Sequence, residues 1–416
     1  MLTAKKFFPM QKAFLLAVLM LLSGVALAQQ SNKSKSKDRY REKEQPPRSA
    51  VEQQIEQWAP LRALAEAELP NVLESLAQAA AESSLSPQAT SQCYAYALMA
   101  AYETTARYST RVPSLRGVVN GMPAMLSFAP KDSVFYPFAS LIAILETGKA
   151  LAPAGYGLAQ KQRDLERQFL ASGLSAQHVA YSQRAAQDIA KAAASFAQSS
   201  AGRLLVLSPE QPLGWANPTP EDYSEGSRYR LFVREVFERG GINASGEHRE
   251  HVATWIGLRP IATQWIALAS AVCGQQQLPF NPMLRALTLT SIAMADAYAV
   301  CAAEAPQYAR AHPQEAIHRL HDSSWRPLVL ETTADVCTRE YGLVSAAAAA
   351  ALSHALGERV AFQVGTRAYA SFREAAREAG MARFYAGHQL RDAVEAGLVS
   401  GERLGSAIVQ RWPKEQ

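Results

Sequence analysis

Residues 342–356 read GLVSAAAAAALSHAL, and this stretch indicates the class of fold that the chain adopts. Alanine has the highest helix propensity of all residues, so the run 346–351 predicts a helix. Its methyl side chains also allow a second helix to approach closely. We therefore interpret 342–356 as a core helix and assign no function to its alanines.

Helical patterns extend from this segment in both directions along the chain. In the N-terminal half, Ile55 and Trp58 begin a run of apolar residues with a period near 3.6. Strand-like alternation is scarce, and 360–364 is its best example. The predicted helical stretch 161–201 is broken at 172–175, and either Ser175 or Ser182 is the candidate cap of the helix that follows the break. The chain is thus predicted to be all-α, built from packed helix bundles with very little sheet. Further helices are predicted over 93–106, 135–150, 161–201 with a break at 172–175, 248–271, 281–303, 367–380 and 392–410.

The composition excludes several classes of protein. The 416 residues are 48% hydrophobic and 19% charged, which excludes wholesale disorder and collagen-like or coiled-coil architectures. The formal net charge is +5, and part of this excess is lost if the N-terminal segment with its lysines is removed. The net charge therefore does not indicate a nucleic-acid-binding surface. Four cysteines are too few for a disulfide scaffold of this length.

The N-terminus has the pattern of a secretory signal peptide. Three lysines lead into the apolar run 13–22, and Ala26 and Ala28 occupy the small-residue positions before a cut after Ala28. The run is too short to span a bilayer, and no later stretch reaches 18 apolar residues. We expect a protein exported to the periplasm or beyond, soluble after cleavage and not embedded in a membrane.

Export would place the cysteines in an oxidising compartment. Four cysteines allow three complete pairings, and the sequence does not choose among them. Buried free thiols remain the alternative for some of them. The four residues are Cys93, Cys273, Cys301 and Cys337.

Changes in composition divide the chain into five predicted regions. After the signal peptide comes a basic linker, in which SNKSKSKDRYREKEQPPR is almost free of apolar residues. Such a linker is a flexible spacer or a contact for an anionic surface. A stretch rich in Pro, Gly, Asn and Ser then separates two helical halves. The regions are 1–28 (signal peptide), 29–50 (linker), 51–208 (N-terminal bundle), 209–245 (Pro/Gly-rich excursion, after which helices resume near 246) and 246–412 (C-terminal bundle).

Three segments of the C-terminal half resemble a known family in the order and spacing of their framework residues. They are 294–317 (MADAYAVCAAEAPQYARAHPQEAI), 325–356, and 382–407, which contains Arg383, Gly387 and Glu395-Ala396-Gly397. The chain resembles the vanadium-dependent haloperoxidase branch of the type 2 phosphatidic acid phosphatase superfamily. More weakly, the resemblance includes 93–107 and the Trp-x-x-Pro-Thr-Pro stretch from Trp215, and it covers roughly 89–408. It implies the helical haloperoxidase fold.

In that family a Lys and two Arg clamp vanadate or phosphate. A Ser-Gly-His motif supplies a hydroxyl group, an open backbone and an acid/base histidine. A final His bonds the metal or attacks phosphorus. Several fixed cationic donors suit a tetrahedral oxyanion. The resemblance places Arg383 at the second Arg, so that only this one of seven positions keeps its residue type. At the others it places Ala305 (Lys), His312 (first Arg), Arg339, Glu340 and Tyr341 (Ser-Gly-His), and Gln389 (metal His), with His388 one residue earlier.

These departures leave three functions open. We predict a non-catalytic pseudoenzyme, with no cofactor bound, that binds an unknown small molecule or anion or serves a structural role. The candidate cofactor-binding residues are Arg383, which keeps the family's residue type, and Gln389, which stands at the position of the metal-binding His. A cofactor-free acid/base enzyme, for example an isomerase, is the first alternative. An active haloperoxidase or phosphatase is the second, and it would need His388 to swing in and Arg339 or Arg310 to replace missing cations. Enzyme status and homo-oligomer formation stay open, and no nucleic-acid partner is expected. The candidate site residues are His312, Arg339, Glu340, Tyr341, Arg383 and His388.

Two histidine pairs outside these segments raise the question of a metal. His318 and His321, near Asp322, and His248 and His251 are each spaced to share one face of a helix. Neither pair has a third ligand at a spacing typical of zinc sites. We interpret both as solvated helix surface and predict no metal site.

Overall fold

Helices form nearly all the regular structure of residues 50–208, 214–257, 259–304, 310–329 and 337–413, the part of the chain that the computed structural model describes. The only strands there are β1 (Phe362–Val364) and β2 (Arg367–Tyr369), which pair antiparallel. The prediction of an all-α fold with very little sheet is confirmed. The helices are α1 (Ala50–Glu82), α2 (Pro87–Tyr108), α3 (Tyr136–Leu151), α4 (Tyr156–Ala171), α5 (Ala176–Ser199), α6 (Arg228–Arg239), α7 (Gly246–Trp255), α8 (Ile261–Gln275), α9 (Phe280–Glu304), α10 (Pro313–Leu320), α11 (Glu340–Leu356), α12 (Phe372–Ala386) and α13 (Arg391–Arg411).

Helix boundaries follow local chemistry, and they correct three predictions. Ser175 caps α5 by accepting a hydrogen bond from the His178 backbone, whereas Ser182 is buried and accepts one from the Phe135 backbone. The predicted helix 248–271 is two helices, because Pro260 lacks a backbone donor and disfavours helix just before it. The predicted helix 367–380 begins only at α12, because 367–369 pairs as a strand. Helices were predicted to resume near residue 246, but α6 already begins at Arg228.

Helix α9 runs through the middle of the core of the compact unit Glu56–Gln416. It packs against α2 on one side and α11 on the other, so one hydrophobic core continues from the N-terminal helices to the C-terminal ones. In the described part of the chain, its window Phe280–Ala303 is the one stretch long and apolar enough to cross a membrane. Because 89% of that window is buried inside the protein, we interpret α9 as a core helix.

Helices α11 and α13 are in backbone contact along a line that we call the seam. The seam is formed on α13 by Gly397, Gly401 and Gly405, spaced four residues apart. A methyl group added at position 397 would lie 2.5 Å from the Arg339 carbonyl oxygen, and one at position 405 would lie 2.6 Å from the Ala350 methyl carbon. The alanine run of α11 thus allows the close helix approach that the sequence predicts.

One disulfide bond joins the end of α9 to the residues before α11. It links Cys301 and Cys337, whose Cα atoms are 5.4 Å apart. Cys93 and Cys273 are buried free thiols, and burial raises the pKa of each to about 12. Four parts of the sequence analysis lie outside the described residues: the predicted signal peptide, the basic linker up to residue 49, Ala305, and residues 332–336 of the segment 325–356.

Candidate functional site

The ends of three helices bring together five of the six candidate residues. His312 is the residue before α10, Glu340 and Tyr341 begin α11, and Arg383 lies in the last turn of α12, shortly before His388. Four of these side chains are buried, with exposed fractions of 2% for Glu340, 3% for Arg383, 5% for His388 and 9% for Tyr341. We call these five residues the polar cluster.

A glycine turn places His388 and Gln389 beside Arg383. Gly387 ends α12 with a φ of 89°, in the left-handed region that favours glycine. The backbone N–H groups of His388 and Gln389 then donate to the Arg383 carbonyl at 3.0 and 3.3 Å. A side chain at 387 would also collide with the ring of Trp325. Gln389 is 3% exposed, so the turn buries both side chains.

Two imidazoles meet at the edge of the polar cluster. His312 Nε2 lies 3.4 Å from His388 Nδ1. His312 Nδ1 accepts a hydrogen bond from the Gln314 backbone at 3.3 Å, so when His312 is neutral its proton lies on Nε2, which faces His388. Burial lowers the pKa of His388 from 6.5 to about 3, helped by the charges of Arg383 and His312 and opposed by a backbone hydrogen bond at Val329. His388 is therefore a neutral imidazole at neutral pH.

The charged members of the cluster contact aromatic side chains. The Arg383 guanidinium carbon lies 4.6 Å from the centre of the Tyr341 ring, within the range of a cation–π interaction. The hydroxyl of Tyr298, on α9, donates to Glu340 Oε1 at 3.1 Å. A carboxylate this deeply buried needs such donors, because burial otherwise disfavours its charged form.

Arg339, the sixth candidate, directs its guanidinium to α13 and to the loop before α6. Its Nη1 donates to the Ala216 carbonyl at 2.5 Å and to Ser400 Oγ at 2.9 Å. Trp215 lies 5.9 Å from its guanidinium carbon. Burial lowers the pKa of Arg339 to about 10, so it remains charged at neutral pH.

A buried ion pair anchors the same loop. Arg310 and Asp392 lie 2.9 Å apart with side chains only 5% and 9% exposed. Asp392 accepts a hydrogen bond from the Thr219 backbone at 2.7 Å, and Arg310 donates to the Thr219 carbonyl at 3.0 Å. Arg310, which the haloperoxidase alternative needs as a replacement cation, is thus engaged by Asp392.

Tyr298, Ser400 and Asp392 are partners that sequence reasoning missed. Each lies on a different helix segment from the residue that it contacts, with 42 to 82 positions between them. The only available signal was the rule that buried charges need partners, which does not identify the partner.

The remaining histidines pack against aromatic or backbone groups. The His248 ring stacks on Tyr385 with a centroid distance of 3.7 Å, and His251 meets the same tyrosine edge-on. His318 Nε2 lies 2.8 Å from the Trp325 carbonyl, and His321 stacks on Phe237. His321 is exposed and the other three are half-buried, so the interpretation as solvated surface is confirmed for His321 and wrong for His248, His251 and His318. Within the described ranges, no group of three or more His, Cys, Asp or Glu could hold a metal ion.

Comparison with solved structures identifies the fold. A structure described as the first bacterial vanadium-dependent iodoperoxidase is similar over 84% of this chain and 97% of its own, with 21% identity and a TM-score of 0.75. A bacterial vanadium-dependent chloroperoxidase is similar in its apo and holo forms, with 12% and 11% identity. These matches cover 78% and 79% of this chain and 93% of the other, with TM-scores of 0.52 and 0.54.

The chain therefore has the fold of the vanadium-dependent haloperoxidases, as the resemblance implied. No family model matches the sequence, and no curated protein is similar to it in sequence. At these identities the structural similarity establishes the architecture, and the chemistry must be argued from the polar cluster.

Proposed function

We propose that this chain is an exported, non-catalytic protein of the haloperoxidase fold whose vanadate or phosphate site is lost. The observation that carries the proposal is Glu340, a carboxylate with 2% exposure that accepts a hydrogen bond from Tyr298. The resemblance assigns the oxyanion-binding Ser-Gly-His to this start of α11. A buried carboxylate there repels an oxyanion at close range. The role that remains is structural, or binding of a different small molecule or anion.

The donor chemistry of the cluster fits vanadate poorly. Gln389 has no imidazole nitrogen to bond a metal, and its neighbour His388 is neutral, with a pKa of about 3 and its Nδ1 facing His312. Arg339 and Arg310 contact Ser400 and Asp392. Arg383 is the one clamp position that keeps the family's cationic residue, whereas a tetrahedral oxyanion is best held by several cationic side chains. These residues therefore do not fit vanadate.

The histidine pair supports a second candidate, a cofactor-free acid/base enzyme. A neutral imidazole that accepts a hydrogen bond from another imidazole is a proton relay in which one ring donates and the other accepts. Tyr341 and Arg383 lie beside it. Such a site would shift a proton within an organic substrate, as an isomerase does. Loss of isomerase activity in both His312→Gln and His388→Gln, with folding intact, would favour this candidate.

Vanadate binding tests the main proposal directly. We expect calorimetry to show no binding of orthovanadate or phosphate at micromolar concentrations, and no oxidation of bromide or iodide with peroxide. Micromolar vanadate binding together with halide oxidation would overturn the proposal and restore the haloperoxidase alternative.

The variant Glu340→Gln tests the carboxylate itself. We expect Glu340 to act as the counter-ion of Arg339 or Arg383, so removing its charge should destabilise the fold by about 3 kcal/mol, as for a broken buried pair. It should also create phosphate affinity, seen as an increase in melting temperature with added phosphate. Glu395→Gln, at an exposed carboxylate of α13, is the control. If Glu340→Gln melts like the parent and phosphate does not stabilise it, Glu340 does not occupy the old anion position.

Export is part of the proposal and has its own test. The protein expressed with its N-terminus should be recovered from the periplasm or medium, and N-terminal sequencing should begin at Gln29. Recovery of uncleaved chain from the membrane fraction would contradict cleavage after Ala28. Sedimentation of the same material measures whether the protein forms a homo-oligomer.

A further inference from the structure

A surface groove lies between α12 and α13 and shares no residue with the polar cluster. Its volume is about 490 Å³, within the range of small-molecule sites. Arg373, at the N-terminal end of α12, lines it, whereas Arg383 lies ten residues further along the same helix. At 1.5 Å per residue this places the two arginines about 15 Å apart along the helix axis.

Small side chains keep the groove open. Its floor is formed by Ala346 and Ala349 of α11, and its walls include Ala376 of α12 and Leu398 and Val399 of α13. Methyl groups at the floor leave space that larger side chains would fill. Val399 is 43% exposed, so an apolar wall faces solvent. The lining thus offers a ligand mainly hydrocarbon contact.

Charged side chains at the rim leave an excess of positive charge. Arg373 forms ion pairs with Glu402 and Glu358, and Glu395 pairs with Arg391. The other two arginines at the rim, Arg377 of α12 and Arg403 of α13, form no ion pair with any carboxylate in the described ranges. Both carboxylates of the groove are therefore neutralised, while two guanidinium groups are not.

We propose that this groove binds a small amphiphilic carboxylate. The apolar chain would lie on the alanine floor, and Arg377 and Arg403 would pair with the carboxylate from opposite walls. Guanidinium groups suit this head group because they bind carboxylates through two parallel hydrogen bonds. A second protein is a poorer occupant, because a stable interface takes about 20–30 residues from each partner, whereas ten residues line this groove.

The experiment measures binding of decanoate to the full mature chain by calorimetry, below the concentration at which it forms micelles. We expect a Kd of about 10–100 µM. Decyltrimethylammonium, which has the same chain and a positive head, should bind at least tenfold more weakly. The double variant Arg377→Gln/Arg403→Gln should bind decanoate about tenfold more weakly and remove that preference.

A blocking variant locates the site. Val399→Trp should cover the groove and abolish decanoate binding without changing the melting temperature, because position 399 is largely exposed. Leu231→Trp, at an exposed position of α6 outside the groove (52% exposed), is the matched control and should bind like the parent. No decanoate binding, equal binding of the cationic amphiphile, or full binding by Val399→Trp would each overturn the proposal. So would self-association that Val399→Trp abolishes, since the occupant would then be a second copy. The proposed loss of vanadate binding is independent of all these results.

Discussion

The seam and the polar cluster share helix α11, yet different physical rules govern their sequences. At the seam, α11 and α13 touch through backbone atoms, and an added methyl group at Gly397 or Gly405 would overlap a neighbour. In the polar cluster, Glu340, Arg383 and His388 contact other side chains. A seam position therefore accepts one residue type, whereas the cluster accepts any set whose charges and hydrogen bonds are satisfied.

The resemblance to the haloperoxidases divides along the same line. Gly397 and Gly405 match the family's framework, while six of the seven clamp positions differ. The seam glycines can be kept while the clamp residues change, because the close packing depends on small residues, and the clamp chemistry depends on polar side chains at the ends of the helices. The predictions below test this separation.

The largest effect is expected from Gly401→Leu. A Cβ atom at 401 would lie within 3 Å of the Leu343 backbone and of the Ala346 methyl group. The helices must separate to admit the side chain, at a cost of about 5 kcal/mol. Urea unfolding followed by circular dichroism measures this loss.

Gly274→Ala is the control for helical glycines in general. Nothing lies within 4 Å of a Cβ atom at 274, near the end of α8. This variant should be more stable than the parent by about 0.5 kcal/mol, because alanine restricts the unfolded chain. If Gly401→Leu were equally harmless, the distinction between seam and cluster would fail.

Removal of the disulfide should have the next largest effect. Cys301 and Cys337 close a loop with a sequence separation of 36, and the double serine variant should lose about 4 kcal/mol. The Cys337 carbonyl accepts the Glu340 N–H at 3.2 Å, so the loss should disturb the start of α11 more than the seam. Compared with the parent, the double variant should show a larger increase in hydrogen-exchange rate at the backbone amides of Glu340 and Tyr341 than at those of 346–350.

The parent under reducing conditions is the matched comparison for the disulfide. Reduced parent and the double variant should unfold at the same urea concentration. Unfolding of the oxidised parent at that concentration too would show that the bond adds nothing to stability.

A smaller, pH-dependent effect should come from His388. Its pKa is about 3 in the folded protein and 6.5 when unperturbed, so the unfolded chain binds more protons between these values. Stability is therefore lost as pH falls from 6.5 toward 3, and the share from His388 is about 1.5 kcal/mol between pH 6.5 and 5. His388→Gln should reduce the slope of stability against pH by that amount.

His354→Gln is the control for this pH effect. Burial lowers the pKa of His354 as well, and the charge of Arg285 adds to the shift. Because His354 is exposed near the end of α11, its replacement should reduce the slope of stability against pH less than His388→Gln does. An unchanged slope in His388→Gln would show that His388 is not buried as a neutral imidazole.

The smallest effect is expected from Ser400→Ala, at the position next to the seam glycine 401. Ser400 Oγ accepts hydrogen bonds from Arg339 at 2.9 Å and from the Ala216 backbone at 3.1 Å. Their loss should cost about 1 kcal/mol and should increase proteolysis near residues 214–216. Ser406→Ala, a half-buried serine of the same helix, should change neither. Equal protease resistance in both variants would argue against Ser400 as an anchor of that loop.

Most of the fold could be predicted from local patterns, and its misplaced boundaries have local causes. Core helices such as α9 and α11 were predicted to within two residues, because their apolar and alanine-rich runs are long. The break before α8 and the strand before α12 were missed, because one proline and one short hairpin outweighed a helical pattern. The loop around Trp215 was expected, but the contacts that hold it were not.

The sequence by itself determined that the chain is a bundle of helices and that one alanine-rich helix is buried. These properties depend on neighbours within a few residues. Only the tertiary structure decided that Cys301 pairs with Cys337, that Arg339 is directed to Ser400, that His388 meets His312, and that Glu340 is hydrogen-bonded by Tyr298. Each of these joins residues 36 to 76 positions apart, and no local pattern encodes such a pairing, because it depends on how the helices pack.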